Sequence, residues 1–179
     1  MEEKKINKKI IMSLIWTAVV IFLTIADQVT KYLITSNFEY AEKKEVIPGF
    51  FYLHYVRNTG SAFSFLADQS WGIYFLSGFS IIVGLAIFVF MIYTSDHGFK
   101  FMSFALSLLT AGAIGNVIDR IRLSYVVDFL RFDFGSWTFP IFNFADICAV
   151  CGTIIIICIA IFANKYFDGF LTSVKKGKK

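Results

Sequence analysis

Charged residues are absent from four long stretches of this chain, residues 10–26, 71–95, 101–118 and 147–164, and apolar side chains fill them. Each is close to the ~20 residues that a helix needs to cross the hydrocarbon core of a bilayer. Helical patterning continues beyond the first stretch, through Asp27 to Ile34, so spans are predicted at about 10–33, 71–94, 101–119 and 144–164. The first stretch also has the layout of a signal peptide, with Lys4, Lys5, Lys8 and Lys9 as its basic head. Thr24-Ile25-Ala26 is a poor cleavage site, however, and the helix runs past it, so a retained span is the reading.

The connections differ in kind. Residues 96–100 form a short loop, whereas 35–70 and 120–143 are long. Residues 46–56 are rich in β-branched and aromatic side chains, Asn58-Thr59-Gly60 is a turn signal, and 61–66 alternates small and apolar residues. That pattern predicts a small β-hairpin or sheet lying on the membrane surface. The aromatic run 137–142 suits the interfacial belt. No internal repeat or low-complexity tract is present. The predicted fold is one α-helical integral membrane domain, residues 1–179, with four transmembrane helices and a small extracytoplasmic β-segment.

Composition agrees. The chain is 57% hydrophobic and 17% charged, with a mean hydropathy of +0.67, against about 45–50% and 25% for soluble domains. This excludes a disordered chain, a coiled coil and a basic nucleic-acid module. Net charge is +4 and the lysines gather at the two ends, which reads as a topology signal. Four basic residues precede the first span, Lys100 lies in the short loop, and Lys165, Lys175, Lys176, Lys178 and Lys179 follow the last span. The positive-inside rule therefore predicts cytoplasmic tails at 1–9 and 165–179, with segments 35–70 and 120–143 outside. Cys148, Cys151 and Cys158 share one apolar stretch, and His54 and His97 fall in different loops. The cysteines read as small hydrophobes rather than metal ligands or a disulfide framework.

On this topology Asp27, Asp119, Asp128 and Asp146 all arrive at the same outer interface, together with Asn58, Asn116 and Asn143. Asp68 and Asp133 read as loop acids that meet water or headgroups. Asp27 has Lys31 at i,i+4, and both structural support and substrate contact stand open for it. Asn116, Asp119 and Arg120 share one helix face, next to Ala111, Gly112 and Gly115, which permit close helix packing. An ion pair between Asp119 and Arg120, holding the outer loop, is preferred to direct chemistry there. Asp128 is an acid inside an apolar run, and nothing local demands it. Asp146 begins an apolar helix, where the helix dipole favours an acid. If Asp128 and Asp146 approach closely, like-charge repulsion leaves one protonated and the other a base. Such a pair activates water against a carbonyl without a metal or nucleophile. The chain has no H-E-x-x-H, no G-x-S-x-G, no glycine-rich phosphate loop and no G-x-G-D signature of the presenilin-type proteases. A transporter or proton channel using the acids as a relay needs them near the bilayer midplane, in broken helices. A non-enzymatic membrane subunit would use them as partner contacts.

Five segments, in order, carry a resemblance: Asp27-Gln28-Val29-Thr30-Lys31, Arg57-Asn58-Thr59-Gly60-Ser61-Ala62-Phe63, Gly112-Ala113-Ile114-Gly115-Asn116-Val117-Ile118-Asp119-Arg120, Val126-Val127-Asp128-Phe129 and Phe139-Pro140-Ile141-Phe142-Asn143-Phe144-Ala145-Asp146. With this spacing, residues from about 20 to 160 resemble the bacterial lipoprotein signal peptidase (signal peptidase II) family. The resemblance implies a four-helix aspartyl endopeptidase of the inner membrane, which cuts a prolipoprotein just before its diacylglyceryl-cysteine. It implies Asp128 and Asp146 as the catalytic pair. Asp27, Asn58, Gly60, Asn116, Asp119, Arg120 and Asn143 would bind substrate or orient the pair. The surface β-segment would clamp the peptide, and globomycin-type cyclic peptides would block the site. Membrane lipid is an implied partner, with no cofactor, metal or obligatory protein partner. Two departures are visible: Ala111-Gly112 where the family usually has two glycines, and Ile147 where it usually has serine.

Overall fold

The computed structural model describes residues 2–60, 72–163, 166 and 168–172. The alternating stretch 61–66, Asp68, Lys165 and the C-terminal lysines lie outside the described residues. In chain order the elements are α1 (Glu2–Asn37), β1 (Lys43–Ile47), β2 (Phe51–Asn58), α2 (Gly72–Asp96), α3 (Lys100–Leu123), β3 (Val126–Phe134), β4 (Trp137–Thr138) and α4 (Phe144–Phe162).

Among the described residues, four helices are long and apolar enough to cross a membrane: Lys9–Asn37, Tyr74–Asp96, Lys100–Leu123 and Phe144–Phe162. Half of the α3 span is buried inside the protein, against 11–22% for the others, so α3 is the central post and its neighbours turn most of their surface outward. Small residues allow that packing. A Cβ on Gly112 would sit 2.5 Å from the Ala145 carbonyl, and one on Gly152 would sit 2.6 Å from the Ala105 carbonyl. These two contacts bring α3 and α4 together backbone to backbone, the close approach that small residues permit between membrane helices.

At one end of the bundle lies an antiparallel sheet in the order β1-β2-β3-β4. The β1–β2 hairpin matches the β-segment expected from residues 46–56. β3 was not expected, because residues 120–143 read as a loop: in Val126–Phe134 the polar Asp128, Arg131 and Asp133 break a clean alternation. Leu53 pairs with Leu130 but Val56 pairs with Asp128, so β2 carries one extra residue. Such a bulge re-aims side chains, and here Tyr55 is turned into a small core with Ile34, Val127 and Phe129. That core seats the sheet on the end of α1. Phe142 covers the free edge of β3 through hydrogen bonds with Phe129 and Leu130. A chain of ring contacts then runs outward along the sheet, from Phe142 through Phe132 to Phe51 and Phe50.

Candidate active site

Three asparagines bring the two acids together. Asn143 caps the start of α4 and forms a reciprocal capping box with Asp146. Its side-chain oxygen accepts from the Asp146 amide at 3.0 Å, and its own backbone N–H donates to Asp146 Oδ2 at 3.0 Å. Because that oxygen is committed to a backbone donor, the Asn143 Nδ2 must face the other way. It donates to Asp128 Oδ1 at 2.7 Å and to Asn116 Oδ1 at 3.1 Å. Asn116 donates in turn to Asp146 Oδ1 at 2.9 Å. Asn58, at the end of β2, accepts from the Gly60 N–H at 3.0 Å and donates to Asp128 Oδ2 at 2.9 Å. Every oxygen of the two carboxylates thus accepts one hydrogen bond. All three amides are oriented by groups that can only donate.

Local structure places each residue. Asn58 and Asp128 lie on one face of the β2–β3 ladder, since Asn58 pairs with Val126 and Val56 with Asp128. Arg57 steadies that strand end. Its guanidinium lies 4.9 Å from the Tyr40 ring and 5.0 Å from the Tyr125 ring, and its Nε donates to the Tyr55 hydroxyl at 3.2 Å. The Phe142 bridge to β3 carries Asn143 to Asp128. Ile147 is exposed on the surface of α4, so Asp146 is held by Asn116 and Asn143 rather than by a following hydroxyl.

Behind the pair sits a second polar cluster inside the helices. Lys31 Nζ reaches Asp27 Oδ2 at 2.9 Å, Asp119 Oδ2 at 3.0 Å and Asn116 Oδ1 at 2.9 Å. Lys31, Asp27 and Asp119 are each at most 3% exposed. Gln28 joins the two acids and also donates to the Gly115 carbonyl. Asp27 Oδ1 accepts from the Ala145 amide at 2.9 Å, and Asp119 Oδ2 from the Val127 amide at 3.0 Å. Asp27 therefore ties α1 to the start of α4, and Asp119 ties α3 to β3. Gly115 is required beside them, because a Cβ there would lie 2.5 Å from Asp27 Oδ2.

The expected ion pair between Asp119 and Arg120 is absent among the described residues. Asp119 faces inward to Lys31, whereas Arg120 faces the acid pair and donates to the Gly60 carbonyl at 3.4 Å. The two are adjacent on a helix, about 100° apart, and so cannot share one direction. Lys31 and Gln28 were not singled out as parts of the site from the sequence. The signal for them was polar residues at i, i+1 and i+4 within an otherwise apolar span.

Asp128 and Asp146 open on a cavity of about 330 Å³, lined also by Asn58, Asn116, Arg120, Val126, Phe139–Phe142, Ala149 and Val150. Its wall is thus polar around the acids and apolar elsewhere, the usual character of a ligand site. Asp128 is only 3% exposed. Its carboxyl is pushed up to about 7, by burial first and by the nearby Asp146 charge second, against the bonds from Asn58 and Asn143 that pull it down.

Such a fold and site define a polytopic membrane protein with a paired-carboxylate centre at one end of its helical bundle. Residues 19–162 match the model of the family described as signal peptidase (SPase) II, and the chain belongs to that family. As a member it is a membrane-embedded peptidase of multi-pass bacterial type. It is 40% identical over 145 residues to the lipoprotein signal peptidase of Cupriavidus taiwanensis, across 80% of this chain and 81% of that protein. To the lipoprotein signal peptidase of Listeria monocytogenes it is 39% identical over 131 residues, 73% of this chain and 82% of that one. A solved bacterial membrane enzyme, determined by the in meso method, superposes with a TM-score of 0.72 at 37% identity, over 84% of this chain and 88% of the other.

Proposed function

We propose that this peptidase removes the signal peptide of prolipoproteins, cutting before the diacylglyceryl-cysteine, with Asp128 and Asp146 as its acid and base. The observation that supports this most directly is the hydrogen-bonded link Asp128–Asn143–Asn116–Asp146, which holds two carboxylates at one cavity. Asp128, raised to about 7, keeps its proton in a large share of molecules at neutral pH, and in that form donates a hydrogen bond to the scissile carbonyl oxygen. Asp146, at the more open side of the pair, takes a proton from water as the water oxygen bonds to the carbonyl carbon. The tetrahedral intermediate then collapses: the C–N bond breaks, the leaving amine takes the proton from Asp146, and the signal peptide leaves as a carboxylic acid. The reaction needs no covalent enzyme intermediate. Asn58, Asn116 and Asn143 orient the pair, while Arg120 and Gly60 fix the turn at the cavity mouth.

The lysine distribution supports a site on the extracytoplasmic face with both termini in the cytoplasm. The diacylglyceryl chains then stay in the bilayer beside the helices while only the peptide enters the cavity. The sheet's aromatic face lies at the interface, and globomycin-type cyclic peptides compete for the same cavity. Purified protein in detergent is the test, with a synthetic lipidated prolipoprotein peptide resolved by mass. Asp128→Asn and Asp146→Asn should each abolish cleavage while the protein still folds and inserts. Robust cleavage by either one removes the assignment.

A further inference from the structure

Lys31 is a buried cation, three residues beyond Gln28 on α1, that touches no atom of the carboxylate pair. Its ammonium has three donors and they meet three acceptors: Asp27, Asp119 and the side-chain oxygen of Asn116. Two of these contacts are electrostatic and would serve charge balance alone. The third has a different consequence. Among the described residues, Asn116 is the one hydrogen-bond donor from α3 to the pair, reaching Asp146 Oδ1 at 2.9 Å. An amide can rotate half a turn and exchange its oxygen for its nitrogen with little change of shape. Rotated, Asn116 would present an oxygen to the Asp146 carboxylate and the bond would be lost.

The other two amides are locked by backbone N–H groups, Asn58 by Gly60 and Asn143 by Asp146. Among the described residues, no backbone N–H locks Asn116. Its oxygen is held by Lys31 and, at 3.1 Å, by the Asn143 Nδ2 that also serves Asp128. We infer that Lys31 is a positioning residue: its ammonium locks the Asn116 amide in the orientation that donates to Asp146, and so sets the geometry of the base. This deepens the aspartyl-peptidase reading and rests on it.

The experiment separates this role from charge balance. Native Asp27, Lys31 and Asp119 together carry one net negative charge, and so does the K31M/D119N variant, where Asp27 alone is charged. Lys31→Met, Asn116→Ala and their combination are measured in the native and the Asp119→Asn backgrounds, with kcat and KM for a lipidated peptide and thermal unfolding in detergent. Expected is a folded K31M/D119N whose kcat is lowered about 10- to 100-fold relative to the native enzyme, which it matches in net charge, with KM within about 3-fold. Combined with Asn116→Ala, Lys31→Met should cost no further factor, because both changes remove the same bond. Native kcat in K31M and K31M/D119N overturns the inference, as does a fully multiplicative loss in the combination. Failure of K31M to fold in both backgrounds also overturns it, leaving Lys31 with a purely structural role. Asp128→Asn is run alongside: full activity there removes the dyad reading itself, whereas an inactive D128N beside unimpaired Lys31 variants removes only the inference.

Discussion

The hydrogen bond from Asn58 to Asp128 gives a quantitative handle on the proposed acid. Asn58 Nδ2 donates to Asp128 Oδ2 at 2.9 Å, and that bond favours the charged carboxylate, opposing the burial that raises it. A hydrogen bond to a charged group is worth about 1.5–3 kcal/mol, and one pKa unit corresponds to about 1.4 kcal/mol. Asn58→Ala should therefore move the Asp128 titration upward by about 1–2 units. In the native enzyme the protonated form is lost as pH rises through about 7. The rate should then fall about tenfold per unit above that point, reaching a loss on the order of 100-fold by about pH 9. The assay is kcat/KM for a lipidated peptide from about pH 5 to pH 10, which reports the free enzyme. Whatever its plateau, Asn58→Ala should show an alkaline limb about one unit or more above the native limb. A limb that stays in place, or moves to lower pH, refutes the assignment of the acid to Asp128.

The same titration affects stability. The folded state holds the Asp128 proton up to about 7, whereas an unfolded chain loses it near 3.8. The folded state thus binds more protons between these values, and stability falls as pH rises through that window, by up to about 4 kcal/mol for a shift of this size. Thermal unfolding in detergent should show the native protein melting higher at pH 5 than at pH 8, with that difference reduced in Asp128→Asn. Gly115→Ala places a methyl group against the Asp27 carboxylate and should lower stability by about 1–3 kcal/mol, read from the same melting curves. Asp119→Ala leaves the Val127 amide without its acceptor and Lys31 with one carboxylate fewer, a loss of about 3 kcal/mol, checked by denaturation in mixed micelles. A cysteine at Ser136, in the β3–β4 turn, should be labelled by a membrane-impermeant maleimide on intact cells, and labelling only after permeabilisation contradicts the extracytoplasmic placement.

The helices were legible because a bilayer imposes a length and forbids charge, and both show in one dimension. The acids were legible for the same reason, since each interrupts or borders an apolar run. Lys31 shows the limit. Its spacing from Asp27 announces an ordinary i,i+4 pair, and only the packing of α1 on α3 reveals Asp119 and Asn116 on its other sides. Asp119 and Arg120 show a related limit, since adjacency in sequence suggested a pair that helix geometry separates. Strand β3 was hidden because its pairing with β2 is long-range and shifted by a bulge, so Asp128 fits no simple alternation. The three asparagines could be listed from the sequence, but which end of each amide faces the acids depends on donors such as Gly60 N–H and the Asp146 amide.

The most direct measurement is a crystal structure of the enzyme with a lipidated peptide in which a hydroxyl-bearing, non-hydrolysable group replaces the scissile amide. The account predicts that hydroxyl within hydrogen-bonding distance of both Asp128 and Asp146, with the peptide in the cavity bounded by Arg120 and Phe139. A hydroxyl that reaches neither carboxylate, or a peptide bound away from that cavity, contradicts it.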